Sequence, residues 1–154
     1  MVRIASSIVE VFVFSFDDDR PLYLLLHRSP AEKIYPGIWQ SVTGSIETGE
    51  TASEAALREL REETGLIPSA FWVVPHVSVF YDHSHDSMNL TSVFAAQVTP
   101  AARPKLSSEH YEYEWCDYRS AAAKLVWPGQ RRGLQILDEY LIGGSPAAEL
   151  SRIS

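Results

Sequence analysis

One cysteine, Cys116, is all the thiol chemistry in this sequence. That excludes an intrachain disulfide and a four-cysteine zinc site, and leaves Cys116 to a packing role in a strand. Basic residues are also few: 13 Lys and Arg stand against 20 Asp and Glu, a formal net charge of -7. Such a chain is poorly equipped to neutralise phosphates along a nucleic acid, so none is expected as a partner. A small anionic substrate remains compatible if metal ions bring the positive charge. Long apolar runs are missing too, and nothing approaches the ~20 residues of a membrane span. The opening MVRIASSIVEVFVFSF has the look of a leader, but Glu10 interrupts it and its alternation suits a strand. No membrane partner is expected, and the cytoplasm is the default location. There is no internal repeat or low-complexity tract. The 154 residues read as one domain over 1–143 with a frayed tail over 144–154.

What is present is alternation around one strong helix. Ile8–Phe16 and Leu22–His27, separated by DDDRP, predict a hairpin. IWQSVTG predicts a short strand entering a glycine. TASEAALRELREETG is the clearest helix, with Thr51 and Glu54 spaced as a capping box and Gly65 placed to end it. Strands are expected over Val73–Tyr81, with Pro75 at a bulge or edge, and over Leu90–Val98 and Tyr111–Cys116. Helices around Ser120–Leu125 and Gln130–Ile142 close a mixed α/β domain.

The helix carries an anomaly at its end, RELREETG. At ~100° per residue, Glu63 lies about 40° from Glu59 on one side and Glu62 about 60° on the other. Three acids therefore share a face near the negative pole of the helix dipole, where bases are preferred. Like charges at this spacing repel by roughly 0.2–0.5 kcal/mol per pair. Ala52 and Ala55, a turn or two earlier, leave room for an approach. A solvated charged face explains this cluster poorly. A hard divalent cation, Mg²⁺ or Mn²⁺, explains it well, because it wants carboxylate oxygens and offsets the repulsion. The preceding TGSIETGE carries glycine where backbone can approach a metal or a phosphate.

The full spacing is Gly44, five residues, Glu50, seven residues, then RELREETGL from Arg58 to Leu66. This resembles the Nudix box, the loop–helix–loop signature of Nudix hydrolases, at every fixed position. The resemblance implies an α/β/α sandwich around a mixed β-sheet and hydrolysis of a nucleoside diphosphate linked to another moiety. It implies metal binding by Glu59, Glu62 and Glu63, with Glu59 or Glu62 also handling a proton. Arg58 and Glu50 would steady the loop and the helix.

Within the family, WQSVTGSIETGETA and SEHYEYEWCDYRSAAAKL are similar to bacterial dihydroneopterin triphosphate diphosphatases, also described as dATP pyrophosphohydrolases. That similarity spans about Leu22–Leu66 and Glu109–Leu137, and implies Glu109 as a further metal ligand. It puts Arg28, Thr43 with Gly44, the region of Trp127 and a basic residue near the N-terminus, here Arg3, beside the substrate. Tyr81–Leu90 departs from it, being shorter than the corresponding loop. The expected products are a nucleoside or pterin monophosphate and pyrophosphate. Tyr81, 15 residues beyond the box, keeps dinucleoside polyphosphates open as substrates, and nucleotide sugars remain a further alternative. A Nudix module that only binds nucleotide is disfavoured because every box glutamate is present. The oligomeric state is open, a homodimer included.

In SEHYEYEW the alternation points Tyr111, Tyr113 and Trp115 inward and sends Glu112 and Glu114 to the opposite, solvated face. Trp39 and Trp115 are expected in the core, and DHSHD is read as an exposed loop.

Overall fold

The computed structural model describes all of residues 1–154. Seven strands form one mixed sheet: β1 (Arg3–Asp17), β2 (Arg20–Arg28), β3 (Trp39–Gln40), β4 (Val42–Ser45), β5 (Ala70–Asp82), β6 (Ser87–Gln97) and β7 (His110–Cys116). Its main path runs β3-β2-β1-β6-β5, with β4 on β1 and β7 on β2. Only the β1–β6 pairing is parallel. The predicted hairpin forms, with Val13 opposite Leu24 and Asp17 opposite Arg20. Beyond Val13 the two strands part. β4 takes up the freed edge of β1, Glu10 opposite Thr43, while β3 pairs with β2, Leu26 opposite Gln40. The loop leading to the acidic helix leaves from this fork.

Alternation along β1 divides the core. Val9, Val11 and Val13 join Leu24, Leu26 and Val42 beneath Ala55, Ala56 and Leu60 of α1 (Ala52–Thr64). Phe12 and Phe14 face the other way, with Tyr23 and Leu25, toward α2 (Tyr118–Lys124), α3 (Pro128–Ile136) and the π-helical turn Leu137–Ile142. Two apolar faces on one sheet require helices on both, hence the α/β/α sandwich. Helix α1 has both arms of its capping box at Thr51 and Glu54, and Gly65 closes it at φ 68°. Pro75 lies inside the register shift between Val73 and Val77, as a proline in a strand demands.

Two expectations are corrected. The tail is docked rather than frayed. Ala147–Leu150 forms a helical turn (α4), and the Ser151 and Ser154 carbonyls accept the Val73 and Phe71 N–H groups at 2.9 and 2.8 Å. The outer edge of β5 would otherwise show unpaired backbone, and the tail covers it. On β7, Tyr111 and Tyr113 are exposed, and only Trp115 packs against the α1 side of the core. A register irregularity between His27 and Arg28 of β2 takes Tyr111 out of the alternation, and its ring packs on His27 at 4.6 Å. Glu112 and Glu114 do face away from Trp115, where they meet His27 and Lys124. Trp39 is half-buried, stacked on His27 with Lys124 over its ring.

Candidate active site

Arg58 is the hub of the box. Its Nε donates to Glu50 at 2.6 Å and its terminal nitrogens reach Glu59 at 2.9 Å, Glu62 at 3.2 Å and the Ser45 carbonyl at 2.7 Å. Glu50 also accepts the Glu47 N–H at 3.0 Å, so the loop is laced to the helix. The Arg58 guanidinium holds the Glu50 carboxyl below the usual range. Gly44 is the point of closest approach: a β-carbon there would fall within the Glu59 carboxyl group.

Glu63 points inward from the same helix and is almost wholly buried. Burial first, then the charges of Glu109 and Glu59, push its pKa up to about 9. Its Oε2 has no hydrogen-bond partner. The nearest cationic nitrogen by type is Nδ1 of buried His110, 4.0 Å away. Burial and the charges of Arg28 and His27 push the His110 pKa down to about 4, so the ring is neutral at physiological pH. Its Nε2 lies 2.7 Å from Nε2 of Gln40, an amide donor. An accepting Nε2 leaves the proton on Nδ1, directed toward Glu63. Arg28 completes the group, paired with Glu32 at 3.4 Å and Glu109 at 3.8 Å, while Ser29 N–H donates to the Glu109 carbonyl at 2.8 Å.

Do these residues fit a divalent cation? The donors are hard carboxylate oxygens, the type Mg²⁺ and Mn²⁺ select. A buried carboxylate oxygen without a partner, ringed by further acids, is short of positive charge. No three Asp, Glu, His or Cys side chains are already gathered around one metal position. Arg58 draws Glu59 and Glu62 aside and Arg28 draws Glu109, so a cation would have to recruit them by side-chain rotation. The set fits by chemistry and reach.

A cavity of about 500 Å³ opens on the other face of the sheet. In an antiparallel pair, opposite residues share a face. Gly44 is opposite Val9 and looks toward α1, whereas Thr43 is opposite Glu10 and looks into the cavity. Trp127 and Tyr35 stand at the wall, edge to face at 5.0 Å, with Phe80 and Tyr81 nearby.

The predicted residues therefore divide. Glu59, Glu62, Glu63, Glu109, Arg28, Arg58 and Gly44 lie around the end of α1, and Thr43 and Trp127 line the cavity. Arg3 is not brought in. It starts β1 against the β5–β6 turn, its N–H on the Asp86 carbonyl at 3.1 Å, and lines no part of the cavity. Ala55 is packed in the core and leaves no open approach. The DHSHD turn is tied by its own Asp82–His85 contact at 2.7 Å and stays exposed. Sequence reasoning missed His110, Gln40, Gln130 and the role of Glu10. Glu10 had a signal, an acid in phase with Phe12 and Phe14 on a strand otherwise bound for the core. His110 had none.

Residues 7–136 match the model of the NUDIX domain. The chain is 36% identical over 115 residues to an octanoyltransferase of Myxococcus xanthus, a match over 70% of this chain but only 30% of that protein. It is 33% identical over 128 residues to dihydroneopterin triphosphate diphosphatase of Escherichia coli, covering 75% of this chain and 81% of the relative. The solved structure of the E. coli dihydroneopterin triphosphate pyrophosphohydrolase superposes with a TM-score of 0.69 at 26% identity, over 94% of this chain and 100% of that one.

Proposed function

The chain belongs to the Nudix family, and from that premise we propose that it is a metal-dependent pyrophosphohydrolase converting a nucleoside or pterin triphosphate to its monophosphate and pyrophosphate. One observation carries the reading: Glu63, buried with an unpaired oxygen, stands among Glu59, Glu62 and Glu109 beside a glycine that lets backbone and carboxylate meet. Those four glutamates would hold Mg²⁺ or Mn²⁺, which when bound neutralises phosphate charge and acidifies a water. Arg58 keeps Glu59 and Glu62 in one place and ties them to the loop through Glu50. Burial raises the basicity of Glu59, which suits it to accept a proton from the attacking water. Arg28, once released from Glu109, is available to phosphate oxygens. Thr43 and Trp127 line the cavity in which the organic headgroup would rest.

The test is chromatography of products from dihydroneopterin triphosphate and a nucleoside triphosphate panel, with Mg²⁺ or EDTA and no added pyrophosphatase. Monophosphate and pyrophosphate in equal amounts, only with Mg²⁺, are expected. Stoichiometric orthophosphate would refute the cleavage site, and absence of hydrolysis would favour a nucleotide-binding module. A second reading, cleavage of a dinucleoside polyphosphate, is favoured by half-exposed Tyr81 on the cavity wall. The same panel should therefore include one.

A further inference from the structure

Glu10 is a carboxyl group where a hydrophobic residue would be expected. It sits in mid-β1, in phase with the core residues Phe12 and Phe14, and is 3% exposed. No Arg, Lys or His offsets it; the Ser41 hydroxyl is the one side chain that favours its charged form. Its Oε1 has no partner at all. A buried acid in that condition is costly, and such a cost is normally met by a ligand or a counter-ion.

The cavity supplies the place for a ligand. Both Glu10 and Gln130, from the first turn of α3, line it. Gln130 Oε1 is likewise buried and unpaired. Ser41 sets the polarity of the pair. Gln130 Nε2 donates to the Ser41 oxygen at 3.4 Å, which leaves the Ser41 hydroxyl proton for Glu10, whose charged form it favours. The amide is thereby oriented with its oxygen free, so the two unpaired atoms are both acceptors. Tyr35, Phe80 and Trp127 give the same cavity aromatic walls, the usual companions of a planar ring.

We propose that Glu10, with Gln130, determines headgroup specificity by accepting N–H donors from a 2-amino-4-oxo pyrimidine edge, the edge common to guanine and pterins, in preference to adenine. This rests on the reading above that the cavity receives the headgroup of the substrate. The guanine and pterin edge carries a ring N–H and an amino group side by side, two donors for the two unpaired acceptors that line the cavity. Adenine offers one amino group beside a ring nitrogen that is itself an acceptor, and that nitrogen would meet the Glu10 carboxylate with no proton between them. A site built to pair N–H groups discriminates strongly against an analogue that lacks one. Burial raises the Glu10 pKa and Ser41 partly offsets it, leaving it at about 7, so its carboxylate form is within reach at neutral pH.

Calorimetric titration of guanosine monophosphate, neopterin monophosphate and adenosine monophosphate into metal-free protein tests this without any turnover. Both 2-amino-4-oxo ligands should bind at least tenfold more tightly than the adenine nucleotide, and the tighter of the two identifies the source of the headgroup. Glu10→Gln should shrink that preference by roughly tenfold to 10²-fold, the range for loss of a hydrogen bond to a charged group. Adenine binding as tightly as the others, or a preference untouched by Glu10→Gln, overturns the proposal. The wild-type ratio is decisive even if the variant fails to fold. Because the titration uses neither metal nor triphosphate, failure to release pyrophosphate counts against the activity alone, and hydrolysis without headgroup preference counts against Glu10 alone.

Discussion

Gly44 and Glu59 share a space that admits a side chain from only one of them: a β-carbon on Gly44 would coincide with the Glu59 carboxyl group. The obstacle is the far end of a flexible side chain, so Gly44→Ala should fold, with Glu59 driven away from Arg58. Activity is expected to fall roughly 10-fold to 10²-fold, as for other losses of support at a metal site. The thermal midpoint, by circular dichroism, should move by only a few degrees. Wild-type turnover in Gly44→Ala would show that the position of Glu59 does not matter.

Glu63→Gln separates stability from activity. The Glu63 pKa is about 9 in the fold against 4.5 for an unperturbed glutamate, so the metal-free folded state keeps a proton that the unfolded chain releases. That preference leaves stability highest below pH 4.5 and lowers it as pH rises toward about 9. The metal-free variant should therefore melt above the wild type at pH 8, with the gap closing toward pH 5. With Mg²⁺ its kcat should drop by roughly 10²-fold or more. Near-normal turnover at saturating Mg²⁺ would remove Glu63 from the metal site.

The three glutamates around β7 should behave differently. Glu109 lies at the loop end, 3.8 Å from Arg28 and close enough to Glu63 to raise its pKa, whereas Glu112 and Glu114 pair with His27 and Lys124 on the surface. Glu109→Gln is expected to lower kcat by roughly 10-fold to 10²-fold. Glu112→Gln and Glu114→Gln should stay within about twofold, as exposed ion pairs contribute little. Kinetics at matched Mg²⁺ decide it, and a crippled Glu112→Gln would overturn the assignment.

Glu10 has its own pH signature. With a folded pKa of about 7 against 4.5 for an unperturbed glutamate, it costs stability increasingly between those limits and by a constant amount above them. Glu10→Gln should raise stability by up to about 3 kcal/mol at pH 8 and by little at pH 4.5. Denaturant melts across pH provide the measure. A gap still widening well above pH 7 would mean the titrating group is another.

The α1 end of the site was legible because its constraints are local. The capping box, the phase of Glu59, Glu62 and Glu63, and the glycines at Gly44 and Gly65 depend on helix geometry and short spacings. So the acidic face and its demand for positive charge could be read before any fold was known. The core split on β1 follows from simple alternation, and the phase of Glu10 with Phe12 and Phe14 was there to be read, although its role was missed.

What the sequence by itself determined was therefore the helix, its carboxylates and the family spacing, since these are set within a few turns of chain. Tertiary structure alone decided which distant residues complete the site. His110 meets Glu63 across 47 positions because β7 pairs with β2, and Ser41 joins Glu10 to Gln130 because β1 and β2 part at Val13. Tyr111 and Tyr113 face solvent because a register irregularity and an outer strand outweigh alternation, and the tail is ordered because β5 had an edge to cover. Long-range pairing has no signature in local period: it depends on which edges and faces other segments leave open, and only the assembled sheet specifies those.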